Sequence, residues 1–351
     1  MKPYIIIGAG ILGASTAYHL SKQGVPVILI DKHHKGEATR SGAGIISPWL
    51  SQKNNQKLYK IISSGAKYYP ELVRELSDQG IHDTSYAQVG SIHLHKSQDK
   101  LEKMVQDAAD RREDAPEVEG LSLLTGQEVN NSISIMGDRM GAVKVDGGAR
   151  VNGRKMRDAL IQAAKLHGTE VIEGEAQFIS DNKISVNQKE LTGQKIIVTN
   201  GAWADHLLKQ IGISFHVSSQ KTQILQLEYR DDDPSKWPAI MLPNNKYIVG
   251  FENHQVFVGS AHDANDDFDP TSSAAGVYEI LKTAFKFAPG LEQAKFIGSQ
   301  VGFRPTMPDQ EPYIGNLPNH PDIFITNGLG ASGITSGPYL GKTIAETLLN
   351  G

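Results

Sequence analysis

The residues of this chain whose types and spacing speak most directly of chemistry are Gly8-Ala9-Gly10-Ile11-Leu12-Gly13 and Asp31. Glycines spaced in this way let backbone close around a pyrophosphate. Gly8 permits a tight turn, Gly10 lets the main chain approach the phosphates, and Gly13 lets a helix pack closely on a strand. The amides that open the following helix, around Ile11 and Leu12, would face negative charge with the favourable end of the helix dipole. Asp31 lies 18 residues after Gly13, where a carboxylate can accept hydrogen bonds from ribose hydroxyls. The same carboxylate repels a 2′-phosphate, which disfavours NADP. The short basic run Lys32-His33-His34-Lys35 then reads as a solvated loop beside the adenosine end. These residues imply a dinucleotide and leave NAD and FAD both open.

That chemistry needs elements to position it. Pro3 to Ile7 is an apolar run, an amphipathic stretch continues to Gln23, and Val25 to Ile30 is a second apolar run ending at Asp31. Strand, glycine turn, helix, strand and acid follow in the order that dinucleotide binding requires. The apolar periodicity from Leu58 to Leu76 predicts a helix. Gly90 to His95 alternates like a strand, Gln98 to Arg112 reads as a helix, and Asp110 to Glu119, with Pro116, reads as an exposed loop. Asn152 is placed to cap a helix over Gly153 to Leu166, ended by Gly168. Strands are expected at Glu170 to Glu173 and Lys195 to Thr199, so the chain near 145–210 should rejoin the first sheet. From Gln220 to Gly259 the pattern changes to alternation, at Thr222 to Leu227, Tyr247 to Val249 and Val256 to Val258, which signals antiparallel strands. A helix over Tyr278 to Phe287, a strand at Ile323 to Thr326, a glycine-rich turn and a helix from about Pro338 to Leu349 complete the chain.

Composition narrows the class. The chain has 351 residues, more than one core usually fills, so two domains are expected. Hydrophobic residues make up 39% and charged residues 21%, the balance of a soluble globular enzyme. A net charge of −4 with no basic block among aromatics argues against nucleic acid as a partner. With no cysteine, disulfides, thiolate catalysis and a cysteine-linked flavin are excluded. His93 and His95 alternate as on one strand face, and no histidine set is spaced for a metal, so none is expected. The first apolar run is too short for a secretory signal or a membrane span, and a cytoplasmic protein is expected. A homo-oligomer stays open.

Five further segments resemble the D-amino-acid oxidase superfamily of FAD-dependent enzymes, nearest its glycine oxidase and sarcosine oxidase branch. Ala38-Thr39-Arg40-Ser41-Gly42-Ala43-Gly44 is similar to the loop behind the flavin ring. Val145 to Asn152 resembles the opening of that family's third FAD-domain element. Thr199-Asn200-Gly201-Ala202-Trp203 resembles its alanine-glycine-x-tryptophan turn. Gly302-Phe303-Arg304-Pro305-Thr306, followed by Pro312 to Gly315, is similar to its glycine-x-arginine-proline segment, and Gly328 to Thr335 to its last flavin-contacting turn. The resemblance implies an α/β fold: a Rossmann-like FAD domain over 1–80, 145–215 and 315–351, with an inserted, mostly antiparallel substrate domain over 81–144 and 216–314. It implies non-covalent FAD held by the first motif, by Asp31, Lys32, Thr39, Arg40, Ser41, Gly44 and Ile45, by Ala176, Asn200, Gly201 and Trp203, and by Arg304. It adds Gly328, Leu329, Gly330, Ser332, Gly333, Ile334 and Thr335. Amides opening the last helix would face the N1–C2=O edge of the flavin, where negative charge develops on reduction.

Arg304 is the expected carboxylate clamp, since a guanidinium fork matches a carboxylate bidentately. Tyr247 falls where glycine oxidases place a hydroxyl on the same carboxylate. His262 is a candidate for the pocket lining and Trp49 for a wall of the site, each with plain packing as the competing reading. Lys221 and Gln223 open an alternating strand; a solvated lysine is the default reading of Lys221, with an approach to the flavin or the pocket mouth as the alternative. The implied reaction is hydride transfer from Cα to flavin N5 without an obligatory side-chain base, giving an imino acid that hydrolyses to a 2-oxo acid. The substrate is glycine, a small D-amino acid, a cyclic imino acid or an N-methyl amino acid. Departures from the family are Asp31 in place of the commoner glutamate, no histidine in the final turn, and no lysine in Gln255 to Gly259. The last leaves oxygen or another acceptor open. A dehydrogenase with a non-oxygen acceptor, an NAD-dependent dehydrogenase and a non-catalytic dinucleotide-binding protein are the alternatives.

Overall fold

The computed structural model describes residues 1–50, 55–263 and 268–350. It is a mixed α/β fold built on two large sheets. The first has six strands in the order β18 (Tyr313–Leu317), β19 (His320–Asn327), β12 (Lys195–Val198), β1 (Tyr4–Ile7), β2 (Val27–Asp31) and β8 (Glu170–Glu173). All neighbours are parallel except the edge pair β18 and β19. A parallel sheet must be covered on both faces, and its strands accordingly read as continuous apolar runs. On one face, α1 (Ile11–Lys22), α5 (Gly153–Leu166) and α8 (Gly333–Asn350) bury Tyr4, Ile6 and Leu29. Helix α2 (Gln56–Asp78) packs outside them. On the other face, Ile5, Ile7, Ile28 and Ile30 meet a small antiparallel sheet of β9 (Gln177–Ser180), β10 (Lys183–Val186) and β11 (Lys189–Thr192), and α6 (Ala204–Leu208).

The second sheet has eight strands: β17 (Lys295–Thr306), β13 (Ser218–Glu228), β16 (Gln255–Asp263), β15 (Lys246–Gly250), β14 (Ala239–Leu242), β4 (Ser91–His95), β6 (Gly141–Val145) and β5 (Leu121–Leu124). It is antiparallel except between β14 and β4. One face carries Leu225, Leu227, Ile240, Ile248 and Val258 into a core closed by α7 (Ala274–Phe287) and α4 (Gly126–Ser132). The opposite face carries the polar residues described below. A two-stranded ribbon of β3 (Ile45–Ile46) and β7 (Ala149–Arg150) lies between the sheets, and α3 (Gln98–Arg112) packs near β5 and β6.

Several expectations needed correction. Residues 110–119 are not simply an exposed loop: α3 extends to Arg112, and a 3-10 turn at Pro116–Val118 buries Ala115 and Val118 in the main core. Val143 to Val145 belongs to the eight-stranded sheet, and the chain rejoins the six-stranded sheet only at β8. The last helix begins at Gly333, so Pro338 lies inside it. Proline cannot donate to the carbonyl four residues back, at Ile334. That carbonyl instead accepts the buried Tyr69 hydroxyl at 2.6 Å, so the helix passes the proline without an orphaned acceptor.

Candidate active site

The two sheets enclose a cavity of about 1280 Å³, lined from Gly8 and Asp31 at one end to Arg304 and Tyr247. At the first end, Gly8 has φ 103°, a conformation that favours glycine, and a Cβ there would strike the backbone of Asn200. A Cβ on Gly13 would lie 1.9 Å from the Gly8 carbonyl oxygen, so close helix–strand packing demands glycine. At Gly10 the demand is different. Its Cβ would meet only Thr39 Oγ1, at 3.3 Å, which points to a requirement from outside the chain. Asp31 accepts hydrogen bonds from the amides of Ala9 and His33, and its carboxylate faces the cavity. Helix α1 has no cap from its own N-cap residue, Gly10, and no acidic residue in its first turn; Thr39 Oγ1 takes the Ile11 amide, and the helix start lines the cavity through Gly10, Ile11 and Leu12 with the positive end of its dipole. Beside Asp31, His34 stacks on Trp203 with centroids 4.4 Å apart, and Lys32 pairs with Glu175 at 2.7 Å.

The other end is built by the eight-stranded sheet. Register places Arg304, Thr222, His262, Gly259, Tyr247, Met241 and His93 on one face. The Arg304 side chain makes no ion pair or hydrogen bond among the described residues, although it is largely enclosed; burial pulls its pKa below the usual arginine value and Tyr247 opposes that. It stays charged, since even a depressed guanidinium titrates far above neutrality. The Tyr247 ring lies against Gly259, where a Cβ would come 2.4 Å from the hydroxyl oxygen. That hydroxyl is buried without a hydrogen bond of ordinary geometry. Burial pushes the Tyr247 pKa up to about 12, with Arg304 and the nearby Ser260 pulling the other way. His262 is held between Thr222 Oγ1 and Ser260 Oγ, each at 3.2 Å. Desolvation, then Arg304 and Lys246, press its pKa down to about 4, so it is neutral near pH 7. Behind the sheet, the Lys246 ammonium donates to the Ser260 carbonyl and pairs with Glu279 at 2.5 Å, fixing the strand that carries Ser260 and His262.

A site of this kind pairs a dinucleotide cradle with an unpaired cation and an unpartnered phenol. Residues 3–347 match the DAO family, described as FAD dependent oxidoreductase. The chain belongs to this family of FAD-dependent oxidoreductases. An uncharacterized oxidoreductase, YurR of Bacillus subtilis (strain 168), is 43% identical over 99% of this chain and 95% of its own. The crystal structure of an iminodiacetate oxidase (IdaA) from Chelativorans sp. BNC1 superposes with TM-score 0.95 at 34% identity, covering 99% of this chain and 95% of that one. A glycine oxidase from Geobacillus kaustophilus shares the fold, with TM-score 0.88 at 23% identity over 100% of this chain and 95% of that one.

The cavity fits FAD. Gly10 leaves room, α1 offers amides, Asp31 offers a carboxylate, and the Asn200 Oδ1 is buried without a partner. The residues from Gly328 through Gly330, Ser332, Gly333, Ile334 and Thr335 line it at the start of α8, whose first turn carries no acidic residue. Thr39 lines it while accepting the Ile11 amide at 3.0 Å; Gly44, Ile45, Ala176, Gly201 and Leu329 also line it.

Not every expected residue reaches the cavity. Gly13 acts through packing alone. Arg40 is exposed and does not line the cavity. Ser41 turns away and donates to the Val301 carbonyl at 2.8 Å, tying the glycine-rich loop to β17. Trp49 is 1% exposed within the main core, while Pro48 and Leu50 on either side line the cavity. Lys221 and Gln223 fall on the opposite face of β13, because side chains alternate along a strand, and border a small separate cavity. Lys221 sits 3.6 Å from Asp269 there. Asp31, His33 and Glu37 bring ligand atoms within 4.8 Å of one another, but two amides occupy Asp31 and Arg157 pairs with Glu37 at 2.7 Å. The residues that the sequence reading missed are Ser47, His93, His95, Met241 and Ser260. The alternation of His93 and His95 was the available signal; nothing in the sequence showed which way that face looked. No helix among the described residues is long and apolar enough to cross a membrane.

Proposed function

We propose that the protein oxidises the Cα–N bond of a small amino or imino acid, with Arg304 holding the substrate carboxylate. The observation that carries this reading is the enclosed Arg304 guanidinium, without an ionic partner among the described residues, facing the same cavity as the Asp31 cradle. A buried cation is costly unless an anion joins it, so the site favours a carboxylate ligand. The Tyr247 hydroxyl lacks a partner in the same place and would donate to that carboxylate. Bound FAD would supply the two-electron acceptor for the substrate hydride. Arg304 and Tyr247 set the position of Cα, and such positioning is worth several kcal/mol in barrier. His262, neutral near pH 7, adds no charge at the Arg304 end of the cavity that would compete for the carboxylate. His93 and His262 are both pressed down to about 4, too low to act as bases near neutrality, in line with a substrate that enters with its amine neutral. On this reading 1–80, 145–215 and 315–351 carry the cofactor, and 81–144 and 216–314 carry the substrate.

The iminodiacetate oxidase at 34% identity supports including secondary amines among the substrates. The test is an absorbance titration of the holoenzyme without oxygen, using glycine, D-alanine, D-proline, sarcosine and iminodiacetate. At least one should bleach the flavin bands and release a 2-oxo acid. Readmitting air separates an oxidase, which recolours at once, from a dehydrogenase, which waits for another acceptor. Flavin that no amine or amino acid reduces would overturn the proposal in favour of a non-catalytic role.

A further inference from the structure

The face that carries Arg304 does not end at Tyr247. Tyr247 is opposite Met241 on β14, and Met241 is opposite His93 on β4. Strands lie about 4.8 Å apart, so the His93 backbone is roughly 10 Å beyond that of Tyr247, on the side away from Arg304. The result is a trough across the sheet, with a cation at one end and an imidazole at the other. His93 is positioned: its Nε2 lies 3.2 Å from Ser47 Oγ, and Ser47 Oγ lies 2.8 Å from Ser91 Oγ. Its second ring nitrogen has no partner among the described residues, and the ring lines the cavity. Lys100 and Lys103 of α3 line the cavity with it and form no ion pair among the described residues. A substrate with one carboxylate would leave this second polar station unused.

Resting on the function proposed above, we propose that His93, braced by Ser47, binds a second carboxylate at the far end of the substrate. The substrate class is then an N-carboxymethyl amino acid, of which iminodiacetate is the smallest symmetrical case. Arg304 and Tyr247 hold the carboxylate next to the carbon that is oxidised. His93 donates one N–H to the other carboxylate, and Lys100 and Lys103 favour negative charge at that end. Oxidation moves a hydride from one methylene to FAD and a proton from nitrogen to solvent. One water then hydrolyses the imine, and iminodiacetate yields glyoxylate and glycine.

The experiment uses two readouts on the FAD-loaded protein. The first is the kcat/KM ratio of iminodiacetate to sarcosine, which lacks the second carboxylate. The second needs no turnover: the perturbation of the flavin bands by glutarate, which has a methylene where iminodiacetate has nitrogen, against butyrate. The wild type should prefer iminodiacetate and bind glutarate at least tenfold tighter than butyrate. His93→Leu should remove both preferences, and Ser47→Ala should reduce them severalfold. Arg304→Met should weaken both ligands alike. A wild type indifferent to the second carboxylate, or a preference that survives His93→Leu, would overturn the assignment. Should His93→Leu fail to retain FAD, an undiminished preference in Ser47→Ala would do the same. If no amine reduces the flavin, the proposed function falls, while the glutarate preference still decides the role of His93.

Discussion

At the scale of single residues, Arg304 and Tyr247 make distinguishable contributions. Removing a charge-assisted bidentate contact costs on the order of 3–4 kcal/mol. Arg304→Met should therefore lower kcat/KM about 10²–10³-fold, mainly through KM, in steady-state assays with the best substrate. An unchanged KM would remove Arg304 from the clamp. Tyr247→Phe should behave differently with and without ligand. The hydroxyl is buried without a hydrogen bond, so its loss should leave the thermal midpoint of the substrate-free protein unchanged or raise it. The same change should lower kcat/KM by roughly tenfold, the worth of one hydrogen bond to a charged group. A fall in substrate-free stability would mean that the hydroxyl has a partner within the fold.

Two close approaches decide the outcome at the scale of elements. Helix α1 touches β1 so closely that a Cβ on Gly13 would sit 1.9 Å from the Gly8 carbonyl oxygen. Gly13→Ala must push the helix N-terminus off the turn that faces the cavity. We expect a protein that purifies with much less FAD than the wild type, measured by the ratio of flavin to protein absorbance; full occupancy would show that the turn tolerates displacement. The second approach is between α2 and α8. Tyr69 supplies the donor that Pro338 removes from the Ile334 carbonyl, in a helix whose opening residues line the cavity. Tyr69→Phe should cost about 1–3 kcal/mol in chemical denaturation, because it leaves a buried acceptor unsatisfied. A loss near zero would mean that water replaces the hydroxyl.

The whole molecule carries a pH signature through imidazoles buried in the neutral form. His19 is 7% exposed, hydrogen-bonded to Tyr68 at 3.0 Å, and pressed down to about 3 by burial, then by Lys22 and Lys342. His93 is lowered to about 4 by burial. Between those values and the ordinary histidine value near 6.5, the unfolded chain binds protons that the folded chain refuses, so stability rises with pH across the window. It is complete above about 6.5 and lost as pH falls, with His19 alone responsible for on the order of 3–5 kcal/mol. Urea midpoints from pH 4 to 7 should show this slope, and His19→Gln should flatten it. An equal slope in that variant would place the acid sensitivity elsewhere.

The amino-acid sequence by itself determined the cofactor end. The glycine turn, the acid at Asp31 and the cap at Asn152 act through neighbours within a few residues or one supersecondary unit, so their spacing carries their meaning. Apolar periodicity likewise gave β1, β2, β8, β12, α3 and α5 nearly to their ends. Only the tertiary structure decided the substrate end, because it depends on which strand faces lie together across a sheet that pairs β17 with β13 and β14 with β4. Alternation tells that His93 and His95 share a face, but not that this face continues from Tyr247 through Met241. It likewise left open whether Lys221 or its neighbours turn toward the cavity, and whether Trp49 lines it or packs beneath it. Those choices rest on register and on layer packing, which bring residues more than a hundred positions apart into contact and leave no trace in local spacing.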